Sequence, residues 1–245
     1  MDENVQILQR MRSLLEPWEA ASDQRFIFLS CYQMMTSNVL DAIQAQEFED
    51  GIWVRSLMEN FAEVYFIALS QFEKKDHPPK VWQIAFEAPS LSHLHVIQNL
   101  VLGVNAHINY DLVFVLADLL RTEWHNLDAE QQQVRYRDHC RINGVIHQTI
   151  NAVQDQIIER FEPKFDLIDT LLGPVDEWLT ARIISDWREE VWEYAVRMLD
   201  LEDENERTAF AHKVENESIQ KALDVLKFSR DTDIIEKVNL RLLNL

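Results

Sequence analysis

The stretch from Leu91 to about Leu120 is apolar on nearly every side, and its interior, LVLGVNAHINYDLVFVLADLL, offers solvent no polar face. A helix of that kind is covered by other helices. The chain is therefore expected to wrap amphipathic helices around residues 91–120. With only four Gly and six Pro in 245 residues there is little material for hairpin turns, whereas Leu, Gln, Glu, Ala and Arg abound and favour helix. The expected fold is all-α, a single multi-helix bundle around that buried central helix.

No fixed-period repeat, low-complexity tract or linker divides the chain, so one helical domain spans 1–245. Seven Trp and 47% hydrophobic residues are enough to fill its core. Helices are expected over 3–15, ending at Glu16-Pro17, then 22–46, 52–72 and 80–88. Pro78 and Pro79 set the break before the fourth. After the central helix an exposed connection, 122–133, leads to helices over 136–160 and 175–199. Residues 205–245 are more polar and read as a peripheral helical addition, one or two helices over about 207–243.

The formal net charge is −19 and no Lys/Arg stripe interrupts it, which disfavours nucleic acid and anionic membranes as partners. The N-terminal MDENVQILQR is too acidic and polar for a signal peptide, and no run of about 18 consecutive apolar residues is present to span a membrane. Two cysteines, Cys31 and Cys140, far apart in sequence, suit a reducing compartment. A cytoplasmic location is the expectation.

The chemistry-bearing residues concentrate in NAHINYD, inside the most apolar helix. His107 and Asp111 lie about 40° apart and one turn along, so an imidazole nitrogen and a carboxylate can meet. Such a pair can hold a divalent metal such as zinc, iron or manganese. It can equally work without metal, Asp111 as base and His107 as acid. The plainer alternative is that Asp111 only accepts the His107 ring proton, or pairs with an arginine, within a buried polar network. His93 shares the phase of His107 but stands about 21 Å away along a helix, so with His95 it belongs to the helix start, capped by Ser90 or Ser92.

A second polar stripe, Asp138, Arg141, Asn143, His147, Asn151 and Gln154, runs through RDHCRINGVIHQTIN, with Gly144 beside it able to admit a neighbouring backbone. It can face the His107 helix and complete a site, or be a solvated surface. Arg55, Glu59 and Glu63 with Tyr65 form a third group on a partly buried helix, and Arg55–Glu59 at i,i+4 is also an ordinary helix-stabilising pair. Trp187, Arg188 and Trp192 make the densest aromatic and cationic group and can line a pocket. Glu-x-x-His pairs, His-Glu-x-x-His, Gly-x-Ser-x-Gly, P-loop and Gly-x-Gly-x-x-Gly patterns are absent.

NAHINYDL (105–112) with the preceding LVLG resembles the signature of a bacterial family of unknown function, domain-of-unknown-function family 5995. FAEVYFIAL (61–69), the stretch around Trp82 and Phe86, RDHCRINGVI (137–146) and DWREEVWEYA (186–195) extend the likeness over roughly residues 50–200. The resemblance implies that the helical fold and the Asn-Ala-His-Ile-Asn-x-Asp cluster belong together, and it brings no reaction. A fainter likeness links the helical His-x-x-x-Asp pair to helical zinc-dependent phospholipase C and nuclease families. The ligating N-terminal Trp, the His-x-x-x-Glu helix and the further histidines of those families are missing here.

The leading expectation is an enzyme, a metal-dependent hydrolase or one of related activity, acting on a small, largely apolar molecule. His107, Asp111, Asp138 and Arg141 are its candidate catalytic residues, and Asn105, Asn109, Asn143, Tyr65, Arg55 and Glu59 its candidate substrate contacts. His107 and Asp111 double as candidate metal ligands. The alternatives are a non-catalytic helical binding protein for an apolar ligand and a structural or interaction module, with a homo-oligomer as a candidate assembly.

Overall fold

In the computed structural model, residues 3–91, 94–153, 156, 181–227, 236 and 238 are described. Their helices are α1 (Glu3–Ala20), α2 (Arg25–Gln44), α3 (Gly51–Lys74), α4 (Lys80–Leu91), α5 (Val96–Asn105), α6 (Leu112–Arg121), α7 (Ala129–Val153), α8 (Ala181–Leu199) and α9 (Glu204–Leu226). A π-helical segment, Ala106–Asp111, joins α5 to α6, and a 3₁₀ turn, Trp124–Asn126, precedes α7. Among the described residues no strand occurs, and the architecture is an all-α bundle.

The α5–π–α6 rod is its axis. Every residue of α5 is buried, as are Ala106 to Asn109, Asp111, Leu112 and Val113. Around the rod, α2 packs on α5 and α7, α3 and α8 pack on α6, and α9 covers α5 and the π segment. The 26-residue span Val96–Arg121 is long and apolar enough to cross a membrane, yet 83% of its apolar window lies buried inside the fold.

Gly103 permits the closest approach in this core. A Cβ there would stand 2.4 to 2.7 Å from Cγ, Cδ2 and Cβ of Phe28, so α5 lies against α2 only because residue 103 has no side chain.

Several local expectations are corrected. Pro17 does not end α1 but lies inside it, and Pro89 likewise lies within α4. The central helix begins at Val96. His95 occupies its N-cap position, its N–H donating to Gln98 Oε1 at 3.1 Å. Ser90 instead donates to the Glu87 carbonyl within α4. Helix α7 starts at Ala129, inside the supposed connection.

Helix α9 packs one face inward: Phe210, Val214, Ser218, Ala222, Val225 and Leu226 are buried. Polar bonds clamp it to the axis, Asn105 Nδ2 to Ser218 O at 2.8 Å, Ser218 Oγ to Asn109 O at 3.0 Å and Gln98 Nε2 to Val225 O at 3.0 Å. The expected helix ends at 154–155, 157–160 and 175–180, the side chains of Asn151 and Gln154, residue His93 and most of the terminal stretch after 227 lie outside the described residues.

Candidate functional site

His107 and Asp111 sit at the two ends of one turn of the π segment, a rare helical form that is frequent at functional sites. His107 Nδ1 lies 3.1 Å from Asp111 Oδ2, and the same oxygen accepts Trp82 Nε1–H at 2.9 Å. Burial holds His107 well below its ordinary proton affinity. It raises that of Asp111, against the pull of the Trp82 hydrogen bond. The imidazole is therefore neutral. With Nδ1 donating to Asp111, Nε2 is a bare acceptor, and it has no hydrogen-bond partner.

Aromatic rings fix the imidazole. Phe61 stacks on it with ring centres 3.5 Å apart and planes within 6°, and Tyr32 meets it edge-on at 4.4 Å. Phe28, Trp82 and Tyr65 complete the surround at 5.8 to 6.2 Å.

His107 forms part of the wall of a cavity of about 320 Å³ between α2, α3, the central rod, α7 and α8. From α2 come Phe28, Tyr32, Met35, Thr36 and Val39, at helical spacing; from α7 come Ile142, Ile146, Ile150 and Val153. Leu57, Met58 and Phe61 of α3 and Ile184 and Arg188 of α8 close other sides. A volume of this size lies at the lower end of small-molecule sites, roughly 300–1,000 Å³. Two further polar atoms of this wall are buried without partners, Tyr32 Oη and Thr36 Oγ1; the two hydroxyls are neighbours but make no well-formed hydrogen bond.

The other expected site residues lie elsewhere. Asp138 is buried at the start of α3, where its two oxygens accept the Glu49 and Asp50 N–H groups at 2.8 and 2.7 Å. It is a helix-end anchor, satisfying amides that the helix leaves unpaired. Arg141 is a surface residue 3.5 Å from Glu47. His147 and Gly144 are exposed, and no atom lies within 4 Å of a Cβ built on Gly144, so no backbone approaches there.

Asn105 and Asn109 face α9, with Asn109 Nδ2 donating to Asn105 Oδ1 at 3.0 Å and Lys221 Nζ donating to Asn109 Oδ1 at 2.9 Å. Asn143 accepts Arg188 Nε–H at 2.6 Å. Tyr65 packs behind His107 without lining the cavity, and Arg55 and Glu59 do not line it either. Glu63 pairs with Arg10 at 2.7 Å.

Metal ligation by His107 and Asp111 does not fit this geometry. Asp111 Oδ2 accepts Trp82 Nε1–H and lies against His107 Nδ1, and the wall around Nε2 is aromatic and aliphatic. Among the described residues no three His, Cys, Asp or Glu side chains gather as a ligand set.

The cavity wall shows which residues the sequence reading passed over. Tyr32 and Thr36 stand at i,i+4 in RFIFLSCYQMMTSNV, on the stripe that carries Phe28, Met35 and Val39, and the Ile142-Ile146-Ile150 stripe repeats every four residues. Both patterns were legible as buried faces. A family model matches residues 5–228, nearly the whole chain. The chain belongs to DUF5995, a family of unknown function. The DUF5995 match thus takes in α1 and α9 as well as the middle of the chain, in keeping with the packing of α9 on the axis. No curated protein and no solved structure matches this DUF5995 chain.

Proposed function

We propose that this chain binds a small, largely apolar molecule in the cavity beside His107 and orients it through a hydroxyl-type group. The observation that carries this reading is the set of three partnerless polar atoms on one apolar wall: His107 Nε2, Tyr32 Oη and Thr36 Oγ1. A buried polar atom left without a partner costs about 1–3 kcal/mol, and native folds leave few of them. One hydroxyl on a ligand can donate to His107 Nε2 and accept from Tyr32 or Thr36, while aliphatic and aromatic walls receive its body.

A second reading, that the site is catalytic, draws on the His107–Asp111 bond. A carboxylate on Nδ1 orients the ring and supports a positive charge developing as Nε2 takes a proton, so the pair could withdraw a hydroxyl proton without metal. Burial weakens His107 as a base, which favours binding as the first reading.

The test is calorimetric titration with 1-octanol. Wild type is expected to bind it saturably. His107→Phe, which keeps a ring for the Phe61 stack and removes the acceptor, should bind roughly tenfold more weakly. Absence of saturable binding to wild type contradicts the proposal.

A further inference from the structure

Arg188, on α8, is the other polar feature of the cavity wall, and it is 3% exposed. All its hydrogen bonds go to neutral acceptors: Nε to Asn143 Oδ1 at 2.6 Å, and Nη2 to the His139 carbonyl at 2.8 Å and His139 Nδ1 at 3.2 Å. His139 cannot supply a counter-charge. Its Nε2 donates to the Arg188 carbonyl at 3.0 Å, its Nδ1 accepts, and burial together with the Arg188 charge holds its proton affinity well below the ordinary range. Among the described residues no carboxylate lies within ion-pairing distance of Arg188, and Nη1 makes no hydrogen bond.

A buried guanidinium normally sits against an anion, because a buried charge without one is expensive. Here Asn143 and His139 fix the plane of the group and leave the Nη1 side free. A fixed, desolvated guanidinium on an apolar wall, with no anionic partner among the described residues, can receive one compact anion. Burial lowers Arg188 only to about 10, so the charge persists at neutral pH.

We infer that the ligand of this cavity is an amphipathic monocarboxylate, its carboxylate on Arg188 at the α7–α8 wall and its apolar body along Ile142, Ile146 and Leu57. This deepens the preceding proposal and rests on it: a hydroxyl at His107 and a carboxylate at Arg188 are the two polar points of one apolar molecule. A single guanidinium in aliphatic surroundings suits a monoanion carried on a hydrocarbon better than a phosphate, which needs several donors to replace its water.

The experiment compares octanoate with 1-octanol at pH 7 by calorimetry, on wild type and on Arg188→Met and Arg188→Lys. Wild type is expected to bind octanoate at least about tenfold more tightly than octanol. The octanoate-to-octanol ratio should fall to about one in Arg188→Met and be partly kept in Arg188→Lys, where a charge without the planar fork remains. If wild type binds both equally, or octanol alone, the carboxylate inference fails while the apolar-ligand reading stands. If neither binds, both fail. Should Arg188→Met not fold, the wild-type ratio and Arg188→Lys still decide.

Discussion

One carboxylate oxygen, Asp111 Oδ2, holds two rings from different directions, Trp82 Nε1 at 2.9 Å and His107 Nδ1 at 3.1 Å. It ties α4 to the π segment and sets which imidazole nitrogen is left bare. Asp111→Asn keeps the size of the side chain but introduces an N–H₂ that can turn toward His107, which must then accept at Nδ1 and carry its proton on Nε2. The variant is expected to fold, to lose about 1–3 kcal/mol in urea unfolding, and to bind 1-octanol more weakly than wild type.

Thr36 is fully buried and its hydroxyl has no partner. Thr36→Val removes that hydroxyl at nearly constant shape. The free protein should gain about 1 kcal/mol or more in urea unfolding, while 1-octanol affinity falls. A residue kept only for packing would show the gain without the loss.

Two glycines inside helices, Gly103 and Gly144, should respond oppositely to an added methyl. Gly103→Ala drives a methyl into Phe28 and should destabilise by about 1–3 kcal/mol, despite alanine's better helix propensity. Gly144→Ala meets nothing and should stabilise by about 0.5–1 kcal/mol. Urea midpoints of the two variants check both signs.

Below pH 6.5 the fold should weaken, and His139 is the reason. Its folded proton affinity is held well below the unfolded value of about 6.5. Between those values the unfolded chain binds the extra proton, so the contribution to stability is full above about pH 6.5 and is lost as pH falls. The slope is up to about 1.4 kcal/mol per pH unit. His107 has the same sign and Asp111, raised by burial, the opposite one, so the two members of that pair oppose each other. Unfolding free energies between pH 6.5 and 5 should therefore fall less steeply in His139→Gln than in wild type.

Fold class and axis were legible because they rest on patterns that packing obeys: few glycines, and a stretch around Leu100 and Leu116 apolar on all sides. The one-turn spacing likewise announced that His107 and Asp111 would meet. Proline misled at Pro17 and Pro89, which lie inside α1 and α4 rather than at their ends. Long-range pairing was not legible. Asp138 and Asn143 sit five residues apart on α7, yet one anchors the start of α3 and the other steadies Arg188. A sequence shows the face a side chain occupies, but not the element that meets that face.

The side-chain ¹⁵N spectrum of His107, recorded with and without 1-octanol, measures the central feature directly. Binding as proposed gives a neutral ring protonated on Nδ1 in the free protein, and an Nε2 resonance that moves saturably as the alcohol hydroxyl donates to it. A proton already on Nε2 in the free protein, or an Nε2 resonance that does not respond to the alcohol, would contradict it.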